Sequence, residues 1–292
     1  MKSGPLILSK SNLIKVFKRM IWFIITVVCG VYIGLTVLLF FAQKSLIYHP
    51  GKDFTSSPSD VKLKCEDVFF RTADGVMLNA WFIPADNAVF TVLFCHGNAG
   101  NISYFLDEAE FFNGINVNVL LFDYRAYGRS EGSISEKGLA LDAEAAWNYL
   151  TETKKILPNR IIIVGRSLGA AIAAELASKH NAAGLILESG FLSVPEMASD
   201  IYPFFPGKFL ASIKHPTIKY IKNVKCPKLI IHSADDEIVK FRHGETLFRE
   251  APPTKEFLKL NGSHNDCYNL CIDRYREKML EFIKSLGTEV CK

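Results

Sequence analysis

The sequence predicts an α/β fold, with a mostly parallel central sheet flanked by helices and one long apolar helix in front of it. Three observations point there. From residue 65 onward, short apolar runs alternate with longer helical patterns, the order that builds βαβ units. Several of these runs, VFTVLFC and RIIIVG among them, are continuously apolar, as strands buried on both faces are. Residues 20–42 contain no charged side chain.

Taken in order, residues 68–72 and 76–84 read as a strand pair joined by the turn Ala73-Asp74-Gly75. A buried strand at 89–95, a helix over 101–113 and a strand at 116–123 follow. Then come a helix over 135–153, a strand at 160–165, a helix over 168–180 and a strand at 184–188. Residues 190–226 fit no simple βα connection. A strand at 228–233, a helix over 242–250, a strand at 255–260 and a final helix over 266–286 complete the pattern. In sheets of this kind the site lies at the carboxyl ends of the strands.

The apolar segment, as a helix, would span about 34 Å, enough for a hydrocarbon core of about 30 Å. Trp22, Phe23, Phe40 and Phe41 sit near its ends, where interfacial aromatics are favoured. It is too long for the apolar core of a signal peptide, and no clear small-residue cleavage site follows it, so a retained single-pass anchor is expected. Lys2, Lys10, Lys15, Lys18 and Arg19 precede it without an acid, whereas Lys44 and Lys52 behind it are offset by Asp53 and Asp60. The positive-inside rule then puts the N-terminus in the cytoplasm and the large domain on the non-cytoplasmic side of the membrane. Gly30 and Gly34 have the GxxxG spacing of a helix homodimer, although small residues are common in membrane helices in any case. The expected layout is a basic segment 1–19, a transmembrane helix 20–42, a linker 43–60, a catalytic domain 61–287 and a tail 288–292.

A formal net charge of +4 with 22% charged residues gives no reason to expect a nucleic-acid partner. The seven cysteines include no CxxC, and His264 with Cys267 and Cys271 matches no strong zinc-ligand spacing, so no metal is expected. Two N-x-S sequons, at Asn101 and Asn261, lie beside the motifs described next, which argues against modification of both.

Gly165-Arg166-Ser167-Leu168-Gly169 fits G-x-S-x-G between a clean strand and the helix LGAAIAAELA, the context that makes Ser167 a nucleophile on a tight strained turn. His96-Gly97-Asn98-Ala99-Gly100 also follows an apolar strand. The backbone N–H of Asn98 and that of Leu168 are the expected oxyanion donors, with His96 ordering the loop. A general base should come last, after an acid. His264 lies just past the strand KEFLKL, and Asp235 and Asp236 both lie past the strand before it. Asp236 is favoured of the two; the adjoining Ile238 and Val239, which would bury the loop, and the need to hold the acid that fixes the imidazole tautomer argue for a triad rather than surface carboxylates. Ser167, Asp236, His264 and the glycine-rich turn thus each follow a different parallel strand and can converge on one sheet edge. His49, His180, His215, His232 and His243 lack such a position.

Together HGNAGN, DYRAYGRSEG, GRSLGAA, HSADDEIV and GSHND resemble the membrane-anchored α/β-hydrolase-domain serine hydrolases, which are similar to monoacylglycerol lipases, protein depalmitoylases and serine aminopeptidase-like hydrolases. The resemblance runs from residue 65 to residue 286 and implies an α/β-hydrolase fold. The family's HGxxDxxV motif places its acid on Asp236, and its usual DYRGYG carries Ala126 here in place of glycine. Asp123 and Arg125 in that segment read as structural. By analogy with the family, residues 190–226 form a small lid, in which Phe204 and Phe205, flanked by Pro203 and Pro206, offer an acyl-binding surface or pack on the core. The implied activity is cleavage of carboxylic esters or thioesters of acyl or lipid-like substrates through an acyl-enzyme, with no cofactor. A peptidase on the same fold and a non-catalytic membrane scaffold are the competing readings.

Overall fold

The computed structural model describes residues 10–290, so Lys2 and the last two residues of the expected tail lie outside it. The chain divides into two compact units, Met1–Gln43 and Lys44–Lys292.

The first unit is carried by helix α1, Lys10–Ile47. It is longer than the uncharged stretch at both ends. Good helix formers continue on either side, and no glycine or proline interrupts them until Pro50. By length and composition this helix can cross a membrane. Neither Gly30 nor Gly34 has a side chain of the described residues packed against it.

The second unit is built on an eight-stranded sheet in the order β10-β9-β8-β7-β4-β6-β3-β2. The strands are β2 (Glu66–Arg71), β3 (Met77–Ile83), β4 (Thr91–Cys95), β6 (Asn118–Phe122), β7 (Ile161–Arg166), β8 (Gly184–Glu188), β9 (Lys228–Ser233) and β10 (Lys255–Leu260). Pairing is antiparallel for β2–β3 and β3–β6 and parallel from β6 through β10. Strand order reverses around β4, which pairs with both β6 and β7, so the crevice at its carboxyl end is the expected site. Two-residue strands β1 (His49–Pro50) and β5 (Ala99–Gly100) form a separate parallel pair.

Helices cover both faces. An apolar cluster including Leu93, Leu120, Ile163, Ala173 and Leu187 joins one face of the sheet to α3 (Glu136–Asn148), α4 (Leu168–Lys179), α7 (Thr217–Ile221) and α8 (Arg242–Glu250). A second, including Val92, Val119, Val164, Ile231, Met279 and Phe282, joins the other face to α2 (Leu106–Gly114), α9 (Cys267–Leu270) and α10 (Ile272–Val290). The five alanines of α4 that follow Gly169 are all buried, consistent with close helix–sheet packing.

Strands β8, β9 and β10 and helix α8 begin and end where the sequence predicts. Other elements differ for local reasons. The helix expected over 101–113 opens as a single turn, Ile102–Tyr104, before α2, because the Asn101 carboxamide oxygen accepts the Ser103 N–H and caps it there. The helix expected over 135–153 keeps regular geometry only to Asn148 and closes on a widened turn, Tyr149–Thr153. The final helix is broken between α9 and α10, and α10 continues through residues expected in the tail. Residues 43–60 are not a free linker. Ile47 ends a helix, Tyr48 is buried in the core, and His49–Pro50 is a strand. The insertion holds α5 (Val194–Ile201), α6 (Gly207–Leu210) and α7, with Tyr202–Pro206 irregular between the first two, as the prolines dictate.

Candidate active site

Ser167 sits between β7 and α4 with φ 54 and ψ −114, a left-handed conformation that costs about 1–3 kcal/mol for a residue other than glycine. The glycines on either side make the turn possible. A Cβ on Gly165 would stand 2.3 Å from the Gly169 carbonyl oxygen, and one on Gly169 would stand 1.9 Å from that of Cys95. The Ser167 N–H is tied to the Glu188 carbonyl at 2.8 Å, so the turn is held from β8 while the side chain stays part-exposed.

His264 reaches it from the loop after β10. Its Nε2 lies 3.2 Å from Ser167 Oγ and its Nδ1 lies 2.7 Å from Asp236 Oδ2. The His264 N–H donates to Glu237 Oε2 at 3.0 Å, which fixes the loop backbone. Asp236, on the loop after β9, accepts the N–H groups of Ile238 (3.0 Å) and Val239 (2.7 Å) on Oδ1. Burial alone would raise its pKa. The His264 hydrogen bond and charge, with the Val239 N–H, outweigh that and hold Asp236 below the usual carboxylate range. An ionised Asp236 accepts from Nδ1–H, which leaves Nε2 as the acceptor facing the Ser167 hydroxyl. Asp235 is exposed and instead accepts from Asn261 Nδ2 and the Gly262 N–H. Of the two residues expected to bury the loop, Val239 does so at 1% exposure and Ile238 remains 45% exposed.

The turn 96–100 faces the serine: a Cβ on Gly97 would lie 3.9 Å from that of Ser167. Asn98 donates no backbone hydrogen bond among the described residues. Leu168 is the first residue of α4, so its N–H has no partner within the helix and lies at the helix's positive end. His96 is buried among Phe105, Tyr124 and Tyr127, with Nδ1 2.8 Å from the Gly97 carbonyl. Burial pulls its pKa down to about 4, so it is neutral and serves the loop.

DYRAYG forms a support for this turn. Tyr124 Oη donates to the His96 carbonyl (3.1 Å) and Tyr127 Oη to the Asn98 carbonyl (2.8 Å). Asp123 Oδ1 accepts the Ile102 N–H at 2.9 Å, and Arg125 is held between Asp74 and Asp142. Ala126 has φ +70, the region glycine favours, so alanine carries a backbone cost there of about 1–2 kcal/mol. Asn101 of the first sequon is fully buried and bonded to Ser103, Gly51 and Asp53, which leaves a glycan no room.

Sequence reasoning missed several supporting residues. His232 Nε2 donates to the Val239 carbonyl (2.8 Å) and lies 3.6 Å from Asp236 Oδ2, while burial lowers its pKa. Arg166 pairs with Glu108 at 2.6 Å, reaches the Asn265 carbonyl at 3.4 Å and stacks on Tyr268, so it braces the segment after His264. His232 opens the HGxxDxxV motif and Arg166 lies within G-x-S-x-G, but neither pattern by itself points to these contacts. Phe204, 86% exposed, and Phe205, half-buried, lie on the insertion. Core packing describes Ile213 of the insertion, at 8% exposure, but not Phe204 or Phe209.

A family model described as serine aminopeptidase, S33, matches residues 86–222. An uncharacterized protein of Mycobacterium tuberculosis is 37% identical over 246 residues, covering 83% of this chain and 88% of that protein. The α/β hydrolase domain-containing protein WAV2 of Arabidopsis thaliana is 32% identical over 288 residues, covering 89% and 93%. The α/β hydrolase domain-containing protein 17C of Xenopus tropicalis is 35% identical over 234 residues, covering 77% and 72%. Among solved structures, an esterase of Pyrococcus furiosus superposes with a TM-score of 0.72 at 22% identity, covering 82% of this chain and 97% of that one, a likeness of fold. Sequence and architecture agree: this chain belongs to the α/β-hydrolase-domain family and has its fold.

Proposed function

We propose that the protein is a serine hydrolase that cleaves carboxylic esters or thioesters of acyl, lipid-like substrates. The observation that carries this reading is the continuous chain Ser167 Oγ–His264 Nε2, His264 Nδ1–Asp236 Oδ2 across three strand ends. In the proposed mechanism Ser167 Oγ adds to the carbonyl carbon as its proton passes to His264 Nε2. The N–H groups of Asn98 and Leu168 stabilise the oxyanion. His264 then gives the proton to the leaving alkoxide or thiolate, and acyl-Ser167 remains. Water repeats the sequence, releasing the acid and restoring the serine hydroxyl. The scheme needs no metal or organic cofactor.

The name of the matching family model raises aminopeptidase activity as a second reading. Turnover of acyl esters against aminoacyl amides separates the two. The first reading expects ester kcat/KM to exceed amide kcat/KM by orders of magnitude, and the reverse ranking would replace it.

Phe204 and Phe205 are proposed to contact the acyl chain. A large aromatic held 86% exposed on an insertion is an available apolar surface. Replacing both with serine is expected to raise KM about ten-fold for medium and long acyl esters, since each buried methylene contact is worth about 0.8 kcal/mol. Acetyl esters should change little. Equal effects on short and long chains would remove the acyl-binding role.

Helix α1 is proposed to anchor the chain in a membrane, with the hydrolase unit on the non-cytoplasmic side. Protease added to intact cells is expected to digest the hydrolase unit and to spare an N-terminal tag. Digestion of the tag with protection of the unit would reverse the orientation.

A further inference from the structure

We propose that the segment 47–51, which begins with the last residue of α1, is a positioning element of the active site, holding the oxyanion turn in register. This inference rests on the reading of Asn98 as an oxyanion donor. The turn 96–100 has little stiffness of its own. It contains Gly97 and Gly100, the latter at φ +74, and its last two residues form only the short strand β5.

Inside the turn only the contact of His96 Nδ1 with the Gly97 carbonyl, at 2.8 Å, is seen among the described residues; the other restraints come from outside it, and a large part of them from residues 47–51. The His49 N–H donates to the Asn98 carbonyl at 2.9 Å, and Asn98 Nδ2 donates to the Ile47 carbonyl at 3.2 Å. His49 and Pro50 pair in register with Ala99 and Gly100, and the Gly51 N–H donates to the Gly100 carbonyl at 2.8 Å. On its other side the Gly51 carbonyl accepts the Gly128 N–H at 2.9 Å, so the segment lies between the oxyanion turn and the DYRAYG loop. Tyr48, 3% exposed, anchors it through Oη to His215 Nε2 of the insertion at 2.7 Å.

This arrangement acts on the reacting atoms through peptide planes. Tyr124 fixes the His96 carbonyl, and Tyr127 and His49 together fix the Asn98 carbonyl. The plane carrying the Asn98 N–H lies between those two. Releasing the second carbonyl lets the N–H swing away from the place where the oxyanion develops. Complete loss of one oxyanion donor costs about 10²–10³ in kcat, so loosening one restraint is expected to cost about ten-fold.

The experiment uses the full-length chain. His49→Pro deletes the N–H that holds Asn98, and His49→Ala, which keeps it, is the reference. Gly51→Ala places a Cβ 3.1 Å from Gly100 Cα and wedges the segment off the turn. It keeps the test open should His49→Pro not fold. For each folded variant, kcat, KM and the affinity of a trifluoromethyl ketone, which forms a tetrahedral oxyanion on the serine, are measured. The inference expects kcat about ten-fold below the reference, KM within about two-fold, and ketone affinity falling in parallel with kcat/KM. Unchanged kcat and ketone affinity in both variants, with or without a lower Tm, would make the segment merely structural and overturn the inference. Ser167→Ala is measured alongside. If it keeps turnover, the underlying catalytic reading fails. If turnover depends on Ser167 while both segment variants match the reference, only the present inference fails.

Discussion

Ser167→Ala is expected to lower kcat about a millionfold, the scale of nucleophile loss in serine hydrolases whose triad acts as a unit. The effect is large because in the proposed mechanism the Ser167 hydroxyl oxygen is the atom that bonds to the acyl carbon. The fold should survive. The Ser167 N–H, not its side chain, holds the turn to Glu188, and the flanking Gly165 and Gly169 contacts are unchanged. Circular dichroism and Tm close to wild type, with turnover about a millionfold lower, is the expected pair of results. Retention of a tenth of the activity would move the nucleophile elsewhere.

Asp236→Asn is expected to lower kcat about ten-thousandfold. The amide Nδ2 can only donate toward His264 Nδ1, which moves the imidazole proton to Nε2 and removes the acceptor that faces Ser167. The N–H groups of Ile238 and Val239 can still bind the remaining carbonyl oxygen, so the loop should keep its shape. Asp235→Asn touches only an exposed contact to Asn261 and Gly262 and should be mild. The reverse ranking would move the acid by one residue. The pKa of Asp236 also gives a pH signature. A folded pKa below the unfolded value means that the carboxylate stabilises the fold above the unfolded pKa and that this contribution is lost as pH falls through the folded pKa. The Tm difference between wild type and Asp236→Asn should therefore shrink in acid.

Most of the parallel sheet was legible because its strands are buried on both faces. Continuous runs such as KLIIHS and GLILE give their boundaries directly. The convergence of Ser167, Asp236 and His264 was legible because each follows one of those runs, and a parallel sheet brings such ends to one edge. The supports were not. Tyr48 lies in a segment whose proline and serines read as linker, yet it is buried and bonded to His215, 167 positions away. Arg166 and Glu108 are paired across 58 positions, and no spacing rule links them. The widened turn at Tyr149–Thr153 interrupts a stretch that the apolar periodicity carries on as one helix. Ala126 shows the converse case. The resemblance of DYRAYG to a DYRGYG pattern marks the position as one that suits glycine, and the positive φ supplies the physical reason.

The most direct test of the central claim is to treat the full-length protein with a fluorophosphonate, digest it and locate the adduct by mass spectrometry. The hydrogen-bonded arrangement of Ser167, His264 and Asp236 predicts one adduct, on the peptide carrying Ser167, forming at the rate at which ester hydrolysis is lost. Hydrolysis that continues undiminished without an adduct on Ser167, or inactivation with the adduct on another residue, would contradict it.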